Sequence, residues 1–317
     1  MAGLGAARTL QQAGQTVTIY EKSKGYGGRV ATRRVGPYTF DTGASSIAPR
    51  GRSLEAVMLH ELDRTELVEI GVPIYTHNGI RVGPGDITRN RAPRYAYRSG
   101  NTKLAKLLAT GIDIRFEQVI ARFRKNGDSF ELAGETYDAL ILTPPAPQTQ
   151  SLLDASDIRR SISQASFRSC LAVLLGYDQP NPSMAYHAII EPEQRYPLTW
   201  LCFESVKCPD RAPEGHCAMV AQLSPSYSLS HYEEADAQII ADTVEYVVRL
   251  YGSKYAKPLV ADVKRWRFSQ PESFALFDSV NEPGSRLVIA GDGTLGARVE
   301  FAFETGARAA RQLLEIS

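Results

Sequence analysis

A carboxylate, a basic glycine-rich loop and an arginine follow one another in residues 17–29, VTIYEKSKGYGGR. Glu21 ends a run in which Val17 and Ile19 alternate with Thr16 and Thr18, the pattern of a strand. A carboxylate at the carboxyl end of a strand can accept two hydrogen bonds from a ribose diol. Lys22 then opens a loop whose Gly27 and Gly28 let the backbone approach a phosphate, and Arg29 brings a charge able to neutralise one. This combination suits a dinucleotide without saying which. A second acidic turn, Gly291-Asp292-Gly293-Thr294, follows a strand pattern over 286–290 and precedes a helical pattern over 299–314. Asp292 offers an acceptor for sugar-like hydroxyls, and the helix start offers amides for a pyrophosphate or a ring carbonyl.

The elements around these two devices must bring them to one point. Residues 1–10 read as a helix with small residues on its packing side, closed by Gly14. Gly3 fits the third glycine of a dinucleotide fingerprint, and Glu21 lies 18 residues later, near the expected spacing of about 20. The strand and first two glycines of that fingerprint do not precede it, which leaves two readings: a late start, or a nucleotide fold without its central strand. A hairpin turns at Gly36-Pro37 and ends in Gly43-Ala44-Ser45-Ser46, small enough to lie against a flat ring. Residues 53–67 have a helical pattern, 95–97 an extended one, and 101–108 a short helix. Residues 112–116, 119–124 and 130–132 suggest a small meander with its hairpin at Asn126-Gly127. Residues 137–142 read as a buried parallel strand, which the prolines at 144, 145 and 147 force out of the sheet.

Residues 151–272 look like a separate unit. Strands are expected near 169–177, 185–190, 198–203, 217–223 and 260–268, with a helix over 233–250. The expectation is therefore an α/β chain. A Rossmann-like dinucleotide domain, truncated at its first strand, would take residues 1–55, 100–150 and 280–317. An interleaved α+β substrate domain on a mixed sheet would take 56–99 and 151–279. Two ribose-or-phosphate devices at opposite ends of the chain require a ligand long enough to touch both, and FAD has that length.

The 317 residues suffice for a sizeable core, and 43% hydrophobic with 22% charged residues is an ordinary globular composition. A net charge of +1 gives no reason to expect nucleic acid or an anionic membrane as partner. No run of about 18 apolar residues and no signal-like amino terminus is visible, so a cytoplasmic protein without a membrane span is expected. Cys170, Cys202, Cys208 and Cys217 lack metal or redox spacing and read as buried thiols in a reducing compartment. His60, His187, His216 and His231 are scattered, so no metal site is expected.

Taken in order, residues 3–10, 21–29 with Gly27-Gly28-Arg29, 40–44, 142–147 and 286–294 resemble the flavoproteins of the amine oxidase superfamily, most closely the renalase-like branch. The resemblance spans essentially the whole chain. It implies that Glu21 holds the adenosine ribose, Gly28 and Arg29 the pyrophosphate region, and Val119 the adenine through its backbone. Thr143 would lie near the AMP half, Gly43 and Ala44 at the flavin ring, and Asp292 with Gly291 at the ribityl-phosphate side. No cysteine is placed to link the flavin, so non-covalent FAD is expected. Ser45 and Ser46 stand where renalase-like proteins tend to have a glutamine and an aromatic residue.

These readings point to an FAD-dependent oxidoreductase acting on a small molecule. Hydride would pass from an amine or a reduced, dihydronicotinamide-like donor to the flavin, then to oxygen or another acceptor. The sequence offers no obligatory acid–base pair, and its catalytic residues stay unassigned. Trp266, Phe268, Tyr186 and Trp200 could wall the substrate pocket. Two other readings remain at this stage: an NAD-dependent dehydrogenase, and a start-truncated, non-catalytic nucleotide-binding protein.

Overall fold

The structure, a computed structural model, describes residues 1–50 and 52–316. Two parallel strand pairs carry the expected nucleotide end. Thr18–Tyr20 pairs with Asp113–Arg115, and Leu140–Leu142 pairs with Leu287–Ile289. Among the described residues these pairs form two separate sheets. The helices Ala2–Gln12 and Val299–Leu314 pack closely together. A Cβ on Gly306 would sit 2.0 Å from the Ala2 carbonyl oxygen, and one on Gly5 2.5 Å from that of Phe303. The small residues read from the sequence are thus what lets two backbones touch. Gly14, at φ 79°, ends the first helix in the left-handed conformation that glycine adopts without strain.

The meander differs from expectation. Its strands are Arg124–Asn126, Ser129–Leu132 and Glu135–Tyr137, while residues 112–116 belong to the parallel pair and 119–123 form no strand. Alternation alone could not tell a meander edge from a buried parallel strand. The proline run leaves the sheet as expected and then starts a helix, Ala146–Ala155, because proline is tolerated in a first turn where amides are unpaired anyway. The pattern over 53–67 is only half helical. Arg52–Ala56 passes into a wide turn, Val57–Glu61, and Leu67–Glu69 is a strand paired with Tyr95–Tyr97. Asp63 accepts the amide of Thr65 at 2.9 Å, a local turn that competes with helix continuation.

A seven-stranded mixed sheet forms the other half. Its order is Val260–Pro271, Phe167–Tyr177, Cys217–Leu223, Leu198–Phe203, Ala188–Ile190, Ile74–His77 and Val82–Gly83. All neighbours are antiparallel except Ala188–Ile190 with Ile74–His77. Strand alternation sorts its residues between two faces. Leu171, Val173, Leu175 and Val263 join Ile239 and Val247 of the helix Asp236–Tyr251 in the main core. Leu174, on the opposite face, packs on Tyr38 and Phe40 of the hairpin Thr32–Val35/Tyr38–Asp41. That second face is the one on which the hairpin lies. No helix among the described residues is long and apolar enough to cross a membrane.

Candidate active site

The Glu21 loop is built by its own backbone. The Glu21 carbonyl accepts the Gln118 amide at 3.0 Å, and Glu21 Oε1 accepts the Ser23 amide at 2.7 Å, leaving Oε2 for another donor. Gly27 at φ 87° and Gly28 at φ 55° turn the chain into a single 3₁₀ turn, Gly28–Val30. A Cβ on Gly28 would meet no atom within 4 Å. The turn therefore presents bare backbone to open space.

Arg29 does not point freely into that space. Its guanidinium grips Asp292 through two hydrogen bonds of 2.6 and 2.7 Å, donates to the Ser269 carbonyl at 3.0 Å, and lies 5.4 Å over the Phe167 ring. The two sequence devices, 263 residues apart, are thus joined directly. A bidentate fork of this kind fixes orientation as well as charge. Gly291, at φ 144°, borders the same opening with nothing within 4 Å of a Cβ position.

The segment 42–46 forms the next wall, held from several elements. Thr42 and Ala44 amides donate to the carbonyls of Ala31 and Arg29 at 2.9 and 3.0 Å. Its own carbonyls accept from Trp266 Nε1 at Thr42 (2.8 Å), Gln222 at Gly43 (2.9 Å), Asn101 at Ala44 (2.9 Å) and Lys207 at Ser45 (2.9 Å). A Cβ on Gly43 would lie 2.0 Å from the Arg29 oxygen, so only glycine permits this crossing.

Beneath that wall lies a group the sequence reading missed. Asp41, Glu204, Lys207 and Arg211 are wholly buried and mutually paired. Asp41 Oδ2 accepts from Lys207 and Arg211, each at 2.8 Å, and Oδ1 from Thr32 Oγ1 (2.6 Å) and the Asn101 amide (2.8 Å). Burial alone would raise the Asp41 carboxyl, but the two adjacent cations outweigh it and hold it below the usual range. Burial dominates at Glu204 and pushes its carboxyl up. Three of the group's four members fall within residues 201–211, LCFESVKCPDR, where charges follow the apolar run Leu201-Cys202-Phe203; that was the available signal.

These walls enclose one cavity of about 2560 Å³, bordered by Glu21, Gly28, Gly43, Asp292 and Trp266 among others. It exceeds the roughly 300–1,000 Å³ of a common small-molecule pocket, leaving room for a long ligand beside a second molecule. Gly3, Lys22, Arg29, Ala44, Val119, Thr143 and Gly291 border it too. Val119 is 75% exposed on the irregular stretch after Asp113–Arg115, and Thr143 Oγ1 lies 3.3 Å from where a Gly3 Cβ would stand.

Of the four aromatic candidates, Trp200, Trp266 and Phe268 border the cavity. Tyr186 does not: it stands just before the strand Ala188–Ile190 and stacks on Tyr75 at 4.6 Å within the main core. Cys170 borders the cavity as well, and burial pushes its thiol up to about 11. All four cysteines are free and buried. His187 is buried and bonded to the Val72 carbonyl at 2.7 Å, and burial lowers it to about 4. His216 meets the Tyr38 hydroxyl, His231 stacks on Tyr227, and His60 is exposed.

A family model for flavin-containing amine oxidoreductases matches residues 1–95 and 74–314. Reduced UDP-galactopyranose mutase superposes with a TM-score of 0.78 at 14% identity, covering all of this chain and 92% of that one. Cyclohexylamine oxidase from Brevibacterium oxydans IH-35A gives 0.76 at 11% identity (99% and 96% covered). Putrescine oxidase bound to putrescine gives 0.71 at 11% identity (99% and 97% covered). FAD is the cofactor, and the residues present fit it: the volume of the cavity, the bare glycine turns at Gly28 and Gly291, and the unfilled acceptor at Glu21 suit an extended dinucleotide. With almost its whole length matched by the family model, the chain belongs to the flavin-containing amine oxidoreductase family and is an FAD-dependent oxidoreductase.

Proposed function

We propose that this enzyme oxidises a reduced, dihydronicotinamide-like donor, as in the renalase-like branch, and passes the electrons to oxygen or another acceptor. The observation that carries this reading is the chemistry of the cavity wall beyond Gly43. Trp200, Trp266 and Phe268 border it, with the cations Arg168 and Lys264. Of the carboxylates bordering the cavity, Glu191 is occupied by the backbone amides of Glu193, Arg195 and Tyr196, and Glu300 accepts the Arg50 amide at 2.9 Å and faces the Arg298 guanidinium at 3.7 Å. An ammonium donor needs an anion to receive it and a base to deprotonate it, whereas a dihydronicotinamide gives up hydride without a base. FAD supplies the two-electron redox chemistry when bound.

The chain's own residues orient and enclose. Glu21 Oε2 accepts from the adenosine ribose, and the amides of residues 27–29 with Lys22 meet the pyrophosphate. Gly3 and Thr143 border the AMP half, with Val119 at the adenine. The Arg29–Asp292 pair carries no net charge, so we assign it to positioning the ribityl side beside Gly291 rather than to neutralising phosphate. Gly43 and Ala44 support the ring, and the aromatic wall excludes water. We propose that the flavin is held non-covalently; of the four cysteines only Cys170 borders the cavity, and it is buried with its thiol pushed up to about 11. We further propose the division into a cofactor part (1–55, 100–150, 280–317) and a substrate part (56–99, 151–279), and a reducing, cytoplasmic setting suited to four free thiols.

Anaerobic mixing of the FAD-loaded enzyme with reduced nicotinamide mononucleotide, and separately with putrescine, tests the donor. Bleaching of the visible flavin bands by the nicotinamide alone is expected. Bleaching by the amine alone would refute the assignment.

A further inference from the structure

Lys264 lies on the strand Val260–Pro271, on the face turned away from Val263 and the main core. Its neighbours on that face are committed. Asp262 pairs with Arg33 at 2.9 Å, and the Trp266 indole donates to the Thr42 carbonyl. Lys264 Nζ stands 4.6 Å over the Trp266 ring, and among the described residues it forms no ion pair. Lys22 and Arg33 border the same stretch of cavity. Burial lowers the Lys264 amine, and the charges of Arg33 and Lys22 lower it further. A half-buried ammonium facing two like charges across a cavity, with the nearby aspartate already taken, is placed to receive an anion.

We propose that Lys264, with Lys22 and Arg33 beside it, forms a phosphate-binding position in this cavity. The phosphate belongs either to the pyrophosphate of the cofactor or to a phosphorylated donor; the chemistry is the same, and the inference rests on the flavin reading above. The Trp266 ring holds the Lys264 ammonium in place from one side, and the Thr42 bond ties that indole to the wall at Gly43. Phosphate capture and the wall at Gly43 therefore share one side chain.

The test compares wild type, Lys264→Gln and Lys264→Arg. FAD and riboflavin affinities are read by flavin fluorescence. Anaerobic reduction of the FAD-loaded proteins is read with reduced nicotinamide mononucleotide and with the phosphate-free reduced riboside. If the phosphate is the cofactor's, Lys264→Gln weakens FAD by about tenfold or more and leaves riboflavin unchanged. If it is the donor's, FAD affinity holds, and the half-saturating mononucleotide concentration rises by about tenfold while that of the riboside does not. In either case Lys264→Arg restores most of the loss. Equal effects on phosphate-bearing and phosphate-free ligands, or no effect on any, would overturn the proposal. A wild type that binds no FAD would overturn the flavin reading and this inference with it, whereas a competent wild type with an indifferent Lys264→Gln variant overturns only the inference.

Discussion

Replacing Lys207 by methionine keeps the length of the side chain and removes its charge. In the native chain two carboxylates and two cations cancel in a wholly buried group. In the variant Asp41 and Glu204 face Arg211 alone, so the buried sum becomes −1. Lys207 also donates three hydrogen bonds, to Asp41, Glu204 and the Ser45 carbonyl, at 2.8, 2.7 and 2.9 Å. Removing one member of a buried pair costs roughly 3–5 kcal/mol, a large part of a total stability of about 5–15 kcal/mol. Glu204 limits that loss. Burial already raises its carboxyl, and without Lys207 it rises further. The folded variant then binds a proton that the unfolded chain releases, so its stability recovers as the pH falls. Urea unfolding followed by tryptophan fluorescence should give a deficit of roughly 4 kcal/mol near neutral pH, smaller in mild acid. The double variant Lys207→Met/Glu204→Gln restores neutrality and should be more stable than the single one. A single variant within about 1 kcal/mol of wild type, or a double variant less stable than the single, would refute the reasoning.

Gly43→Ala should lose FAD on a desalting column, because its Cβ must displace the Arg29 backbone from 2.0 Å, with a stability loss of roughly 1–3 kcal/mol. Unchanged FAD retention would show that the wall at 42–46 is not part of the seat. His187 should make the protein sensitive to acid. Its folded value of about 4 lies below the unfolded value near 6.5, so the unfolded chain binds the proton first and stability falls as pH drops between them. The loss across that window is about 3 kcal/mol, and His187→Gln should remove most of it in unfolding curves at pH 7 and pH 4.5. An unaltered pH slope in the variant would assign the sensitivity elsewhere.

What was legible in the sequence was local. The strand ending at Glu21, the glycine turn after it, the small-residue faces of the two packed helices and the strands around residues 167–177 and 217–223 follow from periodicity and turn chemistry. What was not legible depends on pairing across long separations. Asp113–Arg115 reads equally well as a meander edge, and only its parallel register with Thr18–Tyr20 decides the matter. Arg29 and Asp292 each read as a ligand-facing group, and nothing local says that they grip each other. Lys207 and Arg211 look like surface charges in a short polar stretch until Asp41, more than 160 residues earlier, is placed between them. Tyr186 and Trp200 have the same aromatic signature, yet Tyr186, just before the strand Ala188–Ile190, packs into the main core while Trp200 borders the cavity.

The central claim is that one cavity, from the free oxygen of Glu21 to the wall at Gly43, holds an extended FAD. Titrating the purified protein with FAD, alongside Glu21→Gln, tests it most directly through the quenching of flavin fluorescence. The account predicts saturation at one FAD per chain and about tenfold or more weaker binding in the variant, from the loss of charge-assisted hydrogen bonds to the ribose. No saturable binding by the native protein, or equal affinity in the variant, would contradict it.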